Sequence, residues 1–392
     1  MTDTAFTDSL IKVLHVLDGF GMGGAETWLV SIVRYCNQYR CPMMHDFVCT
    51  GGEVRLFDDD LRKMGSKLFY IKYSSRQLYQ FREFLKPILK HGKYTAIWNH
   101  GDYISGWQFL SLVGYLPRIR IAYLHNPINQ TWHYRNTLAR SFVFHTGRIL
   151  MAALATHLTG TSNQVMDDYG YNRWPYKRIR IHPIHCAFDL RKFLFSAYRR
   201  KIIRYQLGVA DHKKLVVFIG RLRLEVNNPF PNQKNPSFAL GLAKEIASES
   251  ENFIFLFAGD KGHTGEEMEL SVKNLGLEAK IRFIGVYMEI QDILFAADLL
   301  IFPSLYEGLG MVAVEAQAAN LPVLMSDHVP DEAYLDSTLV KRLPLNNELW
   351  HDYIIKVEPY SREECINLKV ESSDFNIVHC IEKINQMISN EQ

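Results

Sequence analysis

The stretch LYEGLGMVAVEAQAANLPVLMSD, residues 305–327, sets two carboxylates, Glu307 and Glu315, around Gly308 and Gly310. The preceding DLLIFPS reads as a buried strand, and MVAVEAQAA reads as a helix that Asn320, ahead of Leu321 and Pro322, would stop. The amides of Gly310, Met311 and Val312 would then open that helix without intrahelical acceptors and at the positive end of its dipole, an arrangement suited to a phosphate oxygen. The glycines let backbone approach such a ligand closely. Glu307 precedes the helix and Glu315 lies about one turn inside it, so the acids would reach different parts of one phosphate-anchored ligand. Carboxylates accept hydrogen bonds from hydroxyls, and a ribose at one end with a sugar at the other would satisfy both. The plain alternative is one acid complementing the helix dipole and another that is merely helical.

The elements around this stretch must position it. IKVLHVLD is a short apolar run ending near glycines, followed by AETWLVSIVRYCNQY with apolar residues at helical spacing. HDFVCT, KLFYIK, TAIWNH and RIAYLHN continue as strands between helical stretches such as QLYQFREFLKPILKHG. This alternation predicts an α/β fold with a doubly wound parallel sheet. The pattern restarts at KLVVFIGRL, which ends on Gly220, and runs through SFALGLAKEIASESE, FIFLFAGD, IRFIGV and DLLIFPS. A chain of 392 residues exceeds one ordinary core, so two such domains are expected, 1–195 and 196–372. The last segment, 373–392, reads as a helix that could return to the first domain. Two open sheets facing each other would offer a cleft lined by the carboxyl ends of their strands, where such sheets bind ligands.

Composition narrows the classes. Apolar residues make up 47% and charged residues 22%, ordinary for a soluble globular protein. The six cysteines have no paired metal-ligand spacing and read as reduced thiols. No signal peptide is visible, and the longest apolar candidate, FVFHTGRILMAALATHL, is broken by His145 and Arg148, so a cytoplasmic chain without a membrane span is expected. Residues 1–195 carry 24 lysines and arginines against 14 aspartates and glutamates, whereas 196–392 carry 20 against 28. A basic first half suggests an anionic partner, whether nucleic acid, an acidic membrane surface or a phosphate-bearing substrate, beside the bland reading of a solvated face.

Two patterns carry less than their form suggests. Gly19, Gly21 and Gly24 in GFGMGG fit a dinucleotide fingerprint, but HDFVCT closes on Cys49 and Thr50 where an acid would be needed. Asp58 to Asp60 form a D-x-D pattern, but they precede LRKMGSK and read as the acidic start of a helix. No metal site is expected.

EGLGMVAVE, GGAETWLV, the strand end RIAYLHN, FIGRL followed by QKN, and EAQAANLPVLMSD occur in an order that resembles the retaining glycosyltransferases of family 4, and in particular their exopolysaccharide and surface-glycan subgroup. The resemblance covers nearly the whole chain and implies the GT-B architecture, two Rossmann-like domains. It implies that Arg221 and Lys234 hold a nucleotide diphosphate, where fixed cations would stabilise the charge gained by the leaving group. It implies Glu315 at the ribose, Glu307 at the transferred sugar, the amides of Gly310, Met311 and Val312 at a phosphate, and backbone at Gly285 and Val286 at the base. Gly23 and Gly24 would bring backbone near the donor phosphates and acceptor. His125 would contact the donor sugar or orient the acceptor hydroxyl, and His100 and Asp102 would touch the acceptor. The loop LRLEVNNPFPN is longer than the family's, and CAFD, Cys186 to Asp189, replaces its usual hinge segment.

The expected function is transfer of a sugar, with retention, from a UDP- or GDP-linked donor to a glycan or lipid-linked hydroxyl. No metal or other cofactor is required, and the basic half could rest on an anionic membrane, on its inner face. A GT-B phosphorylase or nucleotide-sugar epimerase would share the fold. An NAD-dependent oxidoreductase would rest on GFGMGG alone. A nucleic-acid binder would leave the acids and cations of the second half without a purpose, so no nucleic-acid partner is expected.

Overall fold

The computed structural model describes residues 10–389 apart from 22, 75–76, 129, 131–134, 172–179, 224–231, 288, 359–361 and 363, with 180–182 described by backbone alone. The chain forms two compact units, Met1–Asp189 with Asp374–Gln392, and Leu190–Ser373.

The first unit is built on seven strands: β1 (Ile11–Leu17), β2 (Met43–Cys49), β3 (Leu68–Tyr70), β4 (Ala96–Asn99), β5 (Ile119–Leu124), β6 (His157–Gly160) and β7 (Arg180–Pro183). They pair in parallel in the order β3-β2-β1-β4-β5-β6-β7. The order reverses between β1 and β4, so the loops following those two strands diverge and leave room for a ligand at their carboxyl ends. One face is covered by helices Leu78–Gly92, Ile104–Ser111 and Leu138–Leu154, which share a core containing Phe81, Phe109, Phe144 and Met151.

The last helix, Ile377–Ser389, belongs to this first unit. Ile377, Cys380, Ile381, Ile384 and Ile388 make its buried stripe, at the spacing of one helical face, and it packs against helix Gly24–Tyr39. The chain enters it through a short parallel bridge, with Phe188 N donating to Phe375 O at 3.0 Å and Ile377 N to Phe188 O at 3.2 Å.

The second unit repeats the plan with β8 (Lys214–Ile219), β9 (Phe253–Ala258), β10 (Ile281–Gly285), β11 (Leu299–Phe302), β12 (Val323–Ser326) and β13 (Val340–Leu343). These too are parallel, in the order β10-β9-β8-β11-β12-β13, with the reversal between β8 and β11. Strands buried on both faces read as unbroken apolar runs, and every residue of FIFLFA in β9 is buried.

The structure departs from the sequence reading in two respects. The boundary falls at Asp189/Leu190, not at 195/196, because Leu190, Phe193 and Phe195 are buried in the second unit. Phe195 meets Phe295 edge-on at 6.0 Å and lies beneath the Arg362 guanidinium at 4.8 Å. Strands β6, β7, β12 and β13 are absent from the sequence reading: HLTG, RIHP and VKRL mix polar with apolar residues and show no apolar run, and VLMS follows closely on the helix of the paired acids. Among the described residues no helix is long and apolar enough to cross a membrane.

Candidate active site

In the second unit the predicted residues gather at the carboxyl ends of the strands. Arg221 follows β8 and is exposed, Gly285 ends β10, and Glu307 and Gly310 follow β11. The strands are drawn tightly together there. Gly259 N donates to Gly285 O at 2.7 Å, and a Cβ on Gly259 would stand 1.9 Å from Gly220 O, so only glycine fits that crossing.

Lys234 is aimed by its neighbours. The buried Asn232 amide donates to Arg221 O at 3.0 Å and Arg223 O at 2.6 Å, while its Oδ1 accepts from Lys234 N at 3.0 Å. Asn235 then takes a left-handed conformation, φ 54°, and Pro236 starts helix Pro236–Glu249. Leu305 N donates to Gln233 O at 2.8 Å, which ties this loop to the one after β11. The insert between Arg221 and Lys234 lies mainly at 224–231, outside the described residues.

The Lys234 ammonium does not stand alone. It donates to Glu307 Oε1 at 2.6 Å and lies 4.7 Å from the centre of the Phe302 ring. Glu307 is 5% exposed and also accepts from Ser304 Oγ, at Oε1 and 2.6 Å, and from Gln233 Nε2, at Oε2 and 3.0 Å. Ser304, Gln233 and Asn232 were not singled out in the sequence. QKN carried the signal for Gln233, but a serine after a strand and an asparagine inside a long loop carry none.

Glu315 sits in helix Met311–Ala318, whose preceding residue Gly310 has φ 93°. Met311 and Val312 are the first residues of that helix, so their amides point out of its N-terminus. The helix is fixed by the fully buried Gln317, whose amide donates to Ala313 O and Ala333 O and whose oxygen accepts from Leu335 N and Asp336 N. Desolvation pushes the Glu315 carboxyl up to about 8, and the charge of Lys234 partly opposes the shift. One ammonium therefore acts on both acids: it pairs with Glu307 directly and acts on Glu315 through space. Near neutral pH Glu315 is largely protonated and can donate as well as accept. Val286 lies exposed just beyond β10.

In the first unit Gly23 precedes helix Gly24–Tyr39 in an extended conformation, at the end of the loop after β1. His125 follows β5. Its backbone N–H donates to Asp102 Oδ1 at 2.8 Å, and Asn126 Nδ2 donates to Asp102 Oδ2 at 2.9 Å. Burial raises the Asp102 carboxyl to about 6 against those bonds. Both oxygens of Asp102 are thus engaged in shaping the loop. Both ring nitrogens of His100 are also occupied, Nδ1 by His125 Nε2 at 2.9 Å and Nε2 by His15 Nδ1 at 3.0 Å. The His100 ring, expected at the acceptor, thus has both nitrogens paired with other histidines in this structure. Asp58, the first residue of the D-x-D pattern, accepts from Arg55 N and from Tyr70 Oη at the start of helix Asp58–Lys63.

Two parallel sheets with reversed strand order match the GT-B fold, and acids, a cation and a helix N-terminus gather at the reversal point of the second. Residues 199–335 match the family model described as glycosyl transferases group 1. The chain is 27% identical over 357 residues to EpsF of Bacillus subtilis, which carries a glycosyltransferase name, covering 90% of this chain and 88% of that one. It is also 27% identical over 152 residues, 38% of this chain and 37% of the other, to an Escherichia coli enzyme named UDP-Gal:alpha-D-GlcNAc-diphosphoundecaprenol alpha-1,3-galactosyltransferase. Among solved structures, Anabaena Alr3699/HepE in complex with UDP and glucose superposes with a TM-score of 0.72 at 17% identity, over 97% of this chain and 99% of that one. The matched segment and these relatives support a glycosyltransferase on the GT-B fold, the class that the motifs resemble.

Removing one partner of a buried ion pair strands the other. Lys234→Ala should lower the unfolding free energy by roughly 3–5 kcal/mol, and adding Glu307→Gln should recover much of it; a urea-denaturation double-mutant cycle measures both. A loss from Lys234→Ala that Glu307→Gln does not reduce would show the pair to be uncoupled.

The raised Glu315 carboxyl makes a second prediction. Between its ordinary value of 4.5 and about 8 the folded form holds a proton that the unfolded form has lost. Its contribution to stability is therefore full below 4.5 and disappears as pH rises through 8. Urea midpoints should fall from pH 6 to pH 8.5 in the wild type and fall less in Glu315→Gln.

Proposed function

We propose that this protein transfers a sugar, with retention of anomeric configuration, from a UDP- or GDP-linked donor to a hydroxyl of a glycan or lipid-linked acceptor during surface-polysaccharide synthesis. The observation that carries the reading is the Glu307–Lys234–Glu315 group beside the first turn of helix Met311–Ala318, within the matched segment 199–335. The amides of Gly310, Met311 and Val312 bind a donor phosphate, and Arg221 and Lys234 stabilise the diphosphate as it leaves with the bonding electron pair. Glu307 faces the sugar, Glu315 the ribose, and the backbone at Gly285 and Val286 the base. The first unit contributes Gly23, Gly24 and His125. These fixed positive groups do the work of a cation, so turnover needs no metal. The Anabaena structure in complex with UDP and glucose, and the Escherichia coli enzyme named for UDP-Gal and a diphosphoundecaprenol acceptor, support the donor and acceptor classes.

The acceptor class bears on a further partner. Leu138, Phe142 and Ile149 are exposed along one side of helix Leu138–Leu154, and in the same layer Arg82, Lys86 and Lys90 surround the Tyr115 ring from helix Leu78–Gly92. Exposed apolar residues and a cluster of cations on helices of one layer suit the cytoplasmic face of an anionic bilayer that presents a lipid-linked acceptor.

A thermal-shift screen of UDP- and GDP-sugars should yield a donor that raises the melting temperature and turns over in the presence of EDTA. Glu315→Ala should weaken its binding by about ten- to hundredfold, whereas Glu307→Gln should lower kcat on the order of a hundredfold with little change in affinity. No responsive nucleotide sugar, or the reverse pattern between the two variants, would refute the reading. For the membrane, the protein should cosediment with phosphatidylglycerol vesicles at low salt but not with phosphatidylcholine vesicles, and Leu138→Asp with Phe142→Asp should release it. Equal recovery with both vesicle types would sink the proposal.

A further inference from the structure

Four imidazoles lie in a line across the first sheet. His45 Nδ1 is 2.9 Å from His15 Nε2, His15 Nδ1 is 3.0 Å from His100 Nε2, and His100 Nδ1 is 2.9 Å from His125 Nε2. The rings are held by aromatic neighbours: Phe47 and Trp98 stack on His15, and Tyr123 lies 4.5 Å from His125. Beyond His45, its Nε2 is 4.0 Å from the buried Cys36 Sγ. At the other end His125 Nδ1 is buried and has no hydrogen-bond partner among the described residues.

Burial keeps all four rings neutral, with His45 lowered to about 4, His125 to about 3, and His15 and His100 well below their ordinary value. A neutral imidazole carries one proton, and each nitrogen–nitrogen contact needs one proton. All the protons must therefore sit on the same side of their rings, and only two arrangements satisfy every contact. In the first, each ring is protonated at Nδ1, Cys36 donates to His45 Nε2, and the His125 Nδ1–H group is left buried without an acceptor. In the second, each ring is protonated at Nε2, His45 donates to Cys36 Sγ, and only a lone pair on His125 Nδ1 is unused. Unpaired buried N–H groups are rarer and more costly than unused lone pairs, so the second arrangement prevails. Cys36 holds its own proton, since burial and the neighbouring Cys41 push its thiol up, and it remains an uncharged acceptor for His45.

We propose that His45, His15 and His100 are positioning residues that lock His125 in one tautomer, with Nδ1 presented as a hydrogen-bond acceptor for a sugar hydroxyl proton. A lone pair held this way accepts from a hydroxyl and cannot donate to a phosphate or carboxylate, so it selects by the direction of the hydrogen bond. The chemical role assigned to the hydroxyl rests on the glycosyl-transfer reading; the proton order does not.

Nitrogen-15 NMR of histidine-labelled, ligand-free protein reads each tautomer directly. The wild type should show all four rings protonated at Nε2. Cys36→Ala removes the last acceptor, so either arrangement now leaves one N–H unpaired, and His125 should populate both tautomers; Cys36→Ser should restore one. In a His15→Phe background, which cuts the line, Cys36→Ala should leave His125 unchanged. A wild-type His125 protonated at Nδ1, or a His125 tautomer indifferent to Cys36→Ala, overturns the proposal. With a nucleotide sugar that turns over, Cys36→Ala should lower kcat about twofold, in proportion to the accepting tautomer it loses, with KM nearly unchanged. A wild type that shows the ordered rings but transfers no sugar would defeat the functional reading and leave the proton order standing.

Discussion

At the head of the second sheet a single ammonium group, that of Lys234, acts on two carboxylates, and the arrangement of that unit's site follows from it. Glu307 is too deeply buried to carry a charge alone, so it needs the lysine, Ser304 and Gln233 together. Holding the lysine in that position requires the Asn232 clamp, the left-handed Asn235 and the tie from Leu305 to Gln233. Glu315, which feels the same ammonium only through space, stays largely protonated near neutrality. Two acids of the same type thus sit in different surroundings: Glu307 touches the cation, and Glu315 feels it only at a distance.

A nucleotide diphosphate entering this group would meet cations and amides already fixed by protein contacts. Fixed charge stabilises a developing negative charge with little reorganisation, which is the advantage of building the site on strand ends and a helix start. The glycine crossing between Gly220 and Gly259 serves the same end, because it brings neighbouring strand ends close enough for their loops to act on one ligand.

The first unit handles polarity by different means. Its sheet carries a row of buried histidines, kept neutral by desolvation and satisfied by one another, with no ion pair among their ring contacts. Buried polar groups cost least when each donor has an acceptor, and a row of imidazoles achieves this only by aligning its protons. Rigid aromatic packing from Trp98, Phe47 and Tyr123 keeps the rings in register.

The sequence by itself determined the doubly wound plan, because strands buried on both faces must read as apolar runs and helices must show their period. Glu307 and Glu315 stood out by their spacing around two glycines, and Arg221, Lys234 and His125 by the resemblance of their segments to the family 4 motifs. Strands such as β6 and β13 mix polar with apolar residues and offered no apolar run to read, and the true unit boundary depended on which core Phe195 enters. Only tertiary structure decided that Lys234 pairs with Glu307, that Glu315 is desolvated, and that His15, His45, His100 and His125 touch. The histidines lie up to 110 residues apart, from His15 to His125, and come together only when parallel strands pair in register. Charge state and proton order depend on distances between side chains of remote segments, and local sequence pattern does not encode those distances.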